Sequence, residues 1–265
     1  MRVCLLTDEK IEDFNPADHL KNYDWDYVTV APPVTEFINE LSHSRHYDVY
    51  LNIYEGEDEK ESSGLQLIQT LETLNLPFTG AESKFYRCTR EEMQAAAEAH
   101  QIRFARGFHA ESHEDLKQAD DLSYPLIVKH PNSFASTGLT KESRVTNSDE
   151  LKFQFERMSN EYGSARVEEF IEGREFSCMV VENADDAQSP FAYAPAEVQF
   201  PEGETFLHEA AKWYSFDIFV VPLADDALAA RIQDVSRNFF LAMEGNGYAR
   251  IDLRVRPNGE IVIIE

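Results

Sequence analysis

Residues Tyr248–Glu265 read YARIDLRVRPNGEIVIIE. Asn258-Gly259, set between two apolar runs, is the strongest short signal for a β-hairpin. A two-residue turn there pairs Pro257 with Glu260, and counting back along both strands brings Asp252 opposite Glu265. Directly opposed side chains share a face, with Cβ atoms about 5 Å apart. The other face carries Ile251, Leu253, Val255, Val262 and Ile264 and is expected to be the core side. Two facing carboxylates repel each other, so the arrangement makes sense around a cation. Hard divalent ions take oxygen ligands of this kind and keep phosphate or water as the rest. The competing reading is two solvated carboxylates, softened by Arg250 and Arg254. The same pairing sets Arg250 against a position 267.

Composition narrows the function classes. The 265 residues are 43% hydrophobic and 12% aromatic, enough for a real core and a multi-lobed unit. Net charge is -25, from 24 Lys and Arg against 49 Asp and Glu. Gripping nucleic acid or an anionic membrane by charge requires a basic face, so neither is expected as a partner. The acidity otherwise reads as solubility or a salt-rich cytoplasm. No run approaches the ~18 apolar residues of a spanning helix, and MRVCLLTDEK lacks the pattern of a signal peptide. Cys4, Cys88 and Cys178 are odd in number and widely spaced, which suggests a reducing compartment, hence a cytoplasmic location.

Along the chain, MRVCLL and YDVYLNIYEG read as buried strands, and LQLIQTLETLNLPFTG as an amphipathic helix running into a short strand. That order predicts a small parallel α/β domain at residues 1–87. Thr89 and Glu92 form a capping box before EEMQAAAEAH, and Ser112 is read as the cap of a second, short helix. YPLIVKH is a strand and NSDELKFQFERM a third helix. ARVEEFIEGREFSCMVVE is two strands broken at Glu172-Gly173, and DDALAARIQDVSRNFFLAMEG is a helix ending at Gly245.

Two stretches carry candidate chemistry. Lys129 ends an apolar strand and is followed by HPNSFASTG, a small hydroxyl-rich loop whose backbone N–H groups suit phosphate. Taken alone, a strand lysine at that place is usually a rim charge. In VEEFIEGREF, Glu168, Glu169 and Glu175 bracket apolar residues and suit a nucleotide's amino group and ribose; an edge strand with solvated glutamates is the plainer alternative.

Taken in order from about Tyr47, these segments resemble an ATP-grasp enzyme, in particular the D-alanine–D-alanine ligase-like family. The resemblance implies an α/β chain whose later lobes are α+β: an N-terminal domain at 1–87, a central lobe at 88–170 and a C-terminal lobe at 171–265. It implies Lys129, Ser136 and Gly138 at the phosphates, Glu168 toward the adenine amino group, Glu169, Phe170 and Ile171 along the adenine hinge, and Glu175 toward ribose. HEAAKWYS resembles the mobile loop that places Lys212 on the γ-phosphate. Asp252 and Glu265 would hold Mg²⁺ (or Mn²⁺), and Arg250 would steady the anionic intermediate. That family continues Glu-x-Asn, with the Asn a further metal ligand at position 267, so the sequence reads as cut short or as the product of an incomplete gene.

Departures from the family's pattern bear on specificity. The first ATP lysine falls at Arg90, with Lys84 the less favoured candidate, and arginine keeps charge but not geometry. Ala135-Ser136 stands where two serines are usual, and Trp213 where tyrosine is. No counterpart of the glutamate that holds the first D-alanine can be placed in TDEKIEDFNPAD. The implied function is an ATP-dependent carboxylate–amine ligase working through an acyl phosphate on amino-acid or short-peptide substrates other than D-alanine, in a chain that family habit makes a homodimer. A non-catalytic ATP/Mg-binding module is the alternative. A zinc site on His109 and His113 is the third reading, weakened because that pair straddles the predicted helix start.

Overall fold

The computed structural model describes residues 1–8, 15–56, 63–132, 136–214 and 218–265, with the side chains of Trp213 and Tyr214 outside the description. Most of the acidic loop after Gly56 and part of the TDEKIEDFNPAD stretch therefore lie outside the described residues, as does Ala135. The chain forms two compact units: Met1–Cys88 with Gly245–Ala249, and Thr89–Glu244 with Arg250–Glu265.

The first unit holds a three-stranded parallel sheet in the order β2-β1-β3, from β1 (Arg2–Thr7), β2 (Asp24–Thr29) and β3 (Val49–Asn52). Its helices are α1 (Ala17–Leu20), α2 (Val34–Ser44), α3 (Ser63–Thr73) and α4 (Ser83–Tyr86), which carries Lys84. Leu67 and Leu71 of α3 pack on Cys4, Leu6, Ile38 and Tyr50. Phe78 adds one parallel bridge to Tyr50, which is the short strand expected in NLPFTG. The sequence reading passes over β2 and α2. In β2 no residue is fully buried, so DWDYVT shows no clean inward face.

The second unit contains two antiparallel sheets. Helix α5 (Arg90–Ala99) begins at the expected capping box of Thr89 and Glu92. The first sheet runs β4-β7-β5-β6, from β4 (Gly107–Ala110), β5 (Leu126–Lys129), β6 (Arg144–Val145) and β7 (Ala165–Glu169). Helix α6 (Ser148–Tyr162) packs Leu151, Phe155 and Met158 against it. Its N-cap Asn147 accepts from Asp149 N and Glu150 N, and it stops at left-handed Gly163. The short helix expected after Ser112 is instead a 3₁₀ stretch at Asp115–Asp121, because the Asp115 carboxylate takes the Glu111 and Ser112 amides and the Ser112 hydroxyl.

The chain passes to the second sheet across Gly173. At φ +144 a Cβ there would sit 2.1 Å from the Val255 carbonyl oxygen, so glycine is required. This sheet runs β11-β10-β8-β12-β13, with β9 paired to β8. Its strands are β8 (Arg174–Val181), β9 (Phe191–Ala192), β10 (Ala196–Gln199), β11 (Phe219–Pro222), β12 (Tyr248–Val255) and β13 (Ile261–Ile263). Helices α7 (Glu209–Tyr214) and α8 (Asp226–Ala242) complete the unit. Mixed α/β architecture, parallel sheet first and antiparallel sheets after, is thus as expected. Among the described residues no helix is long and apolar enough to cross a membrane.

The terminal hairpin corrects the expectation in detail and keeps its consequence. Its loop has three residues, Pro257–Gly259, closed by Arg256 N donating to Glu260 O and by Gly259 in the left-handed region. The register therefore slips by one, and Leu253 pairs with Ile263. A bulge then restores it: Ile264 N and Glu265 N both donate to Asp252 O, and Asp252 N donates to Glu265 O. Asp252 and Glu265 face each other after all. The slip also moves Val262 and Ile264 off the Leu253 face, so they pack with Ala105 and Ile171.

Candidate active site

The residues singled out from sequence converge on one cleft of the second unit. Its cavity volume is about 140 Å³, and it is partly open to solvent. Arg90, Lys129, Ser136, Glu168, Glu169, Phe170, Ile171, Glu175, Lys212, Arg250, Asp252 and Glu265 all line it. Lys84 belongs to the other unit.

At one end the cleft is cationic. Lys129 and Ile127 of β5 share a face with Arg166 and Glu168 of β7, because Lys129 pairs with Arg166 and Ile127 with Glu168. Lys129 Nζ lies 2.6 Å from Glu168 Oε2, and Arg166 Nε 3.0 Å from Glu168 Oε1. Arg166, 1% exposed, also donates to Glu91 Oε1 at 2.7 Å and Gln94 Oε1 at 2.6 Å of α5. Gly107 of β4 makes room: a Cβ there would lie 2.6 Å from Glu168 Cγ and 3.0 Å from Arg166 Nη2. Arg90, the first residue of α5, reaches Glu265 Oε1 at 3.1 Å.

Glu168 is fully buried. The expectation sends it to a nucleobase amino group; in the structure both of its oxygens face cations. Burial opposes its charge, but Lys129, Arg90 and Arg166 outweigh that and hold the carboxyl down at about 2. A depressed carboxyl contributes stability above its unfolded value and loses it as pH falls through the folded one. Acid titration is therefore expected to remove on the order of 3 kcal/mol between the ordinary glutamate value of 4.5 and about 2. Acid unfolding of Glu168→Gln, followed by circular dichroism, should lack that component; an unchanged curve would assign the acid sensitivity elsewhere.

The phosphate-type loop and the segment carrying Lys212 are tied together. Ser136, at φ 63, donates its hydroxyl to Leu207 O, and Gly138 N donates to Glu209 Oε2. Glu209 N donates back to Leu139 O. Lys212 lies one turn further along α7 and lines the cleft.

The other end is apolar. Phe170 meets Phe206 edge-on at 5.7 Å, and Ile127 and Leu139 join them. Into this end projects Arg254, 3% exposed, stacked 4.8 Å over the Phe170 ring. As site residues the sequence singles out neither Arg254, which lines the cleft, nor Arg166, which is not a lining residue and braces Glu168. Alternation gave a signal for both: Arg254 is two residues from Asp252, and Arg166 two from Glu168, each on its partner's face.

Between the ends stand Asp252 and Glu265. Arg250 forks onto Asp252, Nε to Oδ1 at 2.8 Å and Nη2 to Oδ2 at 2.7 Å. Burial pushes the Asp252 carboxyl above its usual range, with Arg250 opposing and Glu265 and Glu175 adding to the push. Asp252 and Glu265 are hard oxygen donors of the kind a divalent cation takes, and in the structure Arg250 and Arg90 balance their charge. No group of three or more His, Cys, Asp or Glu side chains gathers for a metal among the described residues. His109 and His113 do not converge either: His109 Nε2 lies 3.8 Å from Glu111, while His113 Nε2 lies 3.3 Å from Glu156.

Solved structures share this architecture. The chain matches VanG D-Ala:D-Ser ligase from Enterococcus faecalis with TM-score 0.74 and 16% identity, over 100% of this chain and 89% of that one. D-alanine–D-alanine ligase from Bacillus anthracis, solved with ATP, matches with TM-score 0.74 and 18% identity, over 100% and 85%. The fold is thus the ATP-grasp fold of such ligases. The family described as "D-ala D-ala ligase C-terminus" matches residues 95–265. The chain belongs to the D-alanine–D-alanine ligase family. The D-alanine–D-alanine ligase of Halothermothrix orenii is 29% identical over 206 residues, 74% of this chain and 58% of that protein. That of Cupriavidus taiwanensis is 28% identical over 202 residues, 74% and 59%. The matched chain thus spans less than two thirds of the length of these relatives.

Proposed function

We propose that this chain is an ADP-forming, ATP-dependent ligase that joins a carboxylate to an amine through an acyl phosphate. The observation that carries the reading is one cleft lined by the cations Lys129, Arg90, Lys212 and Arg250, by apolar Phe170, Ile171 and Phe206, and by half-buried Asp252 facing Glu265. A triphosphate needs the first, a nucleobase the second, and the metal that accompanies ATP the third.

In this reading a carboxylate oxygen attacks the γ-phosphorus and the bond to the β,γ-bridging oxygen breaks, giving ADP and an acyl phosphate. The amine attacks the acyl carbon, loses a proton, and phosphate departs with the transferred oxygen. The protein's part is positioning and charge neutralisation. Lys129 and Arg90 hold phosphate oxygens, Lys212 meets the transferring group from α7, and Arg250 steadies the tetrahedral anion. Mg²⁺ (or Mn²⁺) held by Asp252 and Glu265 would neutralise the phosphates. Hinge residues Glu169, Phe170 and Ile171 carry the base, Glu175 the ribose, and Ser136 the flap over the phosphates.

The substrates are amino-acid-sized carboxylates and amines, not restricted to D-alanine, a reading supported by TDEKIEDFNPAD, where neither glutamate aligns as the counterpart of the family's D-alanine holder. A cytoplasmic location and a homodimer belong to the same reading; the cysteines are thiols rather than disulfide halves, which supports the first. Isothermal titration with ATP tests the site: binding that strengthens with Mg²⁺ is expected. Absence of ATP binding with Mg²⁺ present would refute the reading.

A further inference from the structure

We infer that Arg254 is a positioning residue that makes this site selective for the sugar of its nucleotide, an inference that rests on the nucleotide reading above. The geometry differs from the other arginine–carboxylate pair of the same strand. Arg250 forks onto Asp252 and occupies both carboxylate oxygens. Arg254 puts Nε at 2.9 Å and Nη2 at 2.5 Å on the same oxygen, Glu175 Oε2. Among the described residues no partner takes Glu175 Oε1, while Glu175 lines the cleft.

The guanidinium is itself fixed. Nη1 donates to Ile171 O at 2.9 Å, Nη2 to Thr205 O at 2.6 Å, and the plane stacks on Phe170. Ile171 lies between the two sheets, Thr205 before α7, and Glu175 on β8, so one side chain joins three segments that line or border the apolar end. A planar fork pre-organised in this way loses little further freedom when it grips a carboxylate. The consequence is a charged acceptor, Oε1, held at one place and free for a hydroxyl donor. A ribose hydroxyl is such a donor, and a site built around a hydroxyl rejects the analogue that lacks it.

The test compares ATP with 2′-deoxy-ATP and 3′-deoxy-ATP, by equilibrium binding and by steady-state kinetics with the amino-acid substrates. The parent chain is expected to bind at least one deoxy analogue about tenfold or more weaker than ATP. In Arg254→Met that ratio should fall toward one, with KM for ATP raised and kcat largely kept. Arg254→Lys keeps charge but not the fork, and should lie between. If the parent binds ATP and discriminates, but Arg254→Met discriminates equally well, the inference is overturned while the nucleotide site stands. If the parent binds no ATP, both fall. If Arg254→Met fails to fold, by circular dichroism, Arg254→Lys decides: a ratio below the parent's supports the inference, and an unchanged ratio overturns it.

Discussion

Replacing Lys129 by alanine is expected to cut ATP-dependent phosphate release by at least ~100-fold while leaving the fold in place. The lysine closes β5 at the cationic end, and its ammonium has three donors. Glu168 Oε2 engages it at 2.6 Å, which aims the side chain and leaves the remaining donors for an anion. Without Lys129, Glu168 keeps Arg166 at 3.0 Å but loses the first of the charges that hold it ionised, so a lower melting temperature is expected beside the lost rate. Lys129→Arg should restore part of the rate, since charge returns without the compact point geometry. Phosphate release at the parent rate from folded Lys129→Ala, whatever its melting temperature, would remove Lys129 from the phosphate site.

Arg166→Met is expected to have the largest effect on stability, about 3–5 kcal/mol. Three acceptors lose a buried partner at once: Glu168 on its own strand, and Glu91 and Gln94 on α5. Breaking one side of a buried pair strands the other, whereas removing both charges is far less costly. Glu168→Gln combined with Arg166→Met should therefore recover part of the loss, a non-additivity that thermal melts of the single and double variants will show. Strict additivity would mean that the two side chains do not depend on each other.

The relation of sequence to structure is clearest at these residues. The capping box at Thr89 and the Asn147 cap needed only neighbours within one turn, and both form where the local pattern puts them. A two-residue turn brings Asp252 opposite Glu265 by one register, and the three-residue loop with its bulge brings it there by another. Asn258-Gly259 serves a two-residue and a three-residue loop equally well, and the compensating bulge at Ile264–Glu265 leaves no mark in residue type. Strand β2 was invisible because DWDYVT buries neither face fully. Arg166 and Arg254 look like solvated charges in their strands. Only distant partners reveal their burial: Glu91 and Gln94 for the first, Glu175 and the Thr205 carbonyl for the second. The family resemblance sends Glu168 to a nucleobase, yet the structure surrounds it with Lys129, Arg90 and Arg166, a cluster that alternation along one strand cannot show.

Charge balance unifies the cleft. Fixed carboxylates, Glu168 and Glu265, each hold cations that would otherwise repel one another, so the cationic end is assembled before any anion arrives. Such preorganisation lowers the cost of stabilising charge that develops during a phosphoryl transfer.

The most direct measurement is phosphate release from Mg²⁺-ATP by this chain, with and without pooled amino acids and small carboxylates. Release that requires the pool, accompanied by ADP and a new amide in equal amounts, is the expected result. ATP bound tightly but never turned over with any pool would contradict a ligase and leave the nucleotide-binding module in its place.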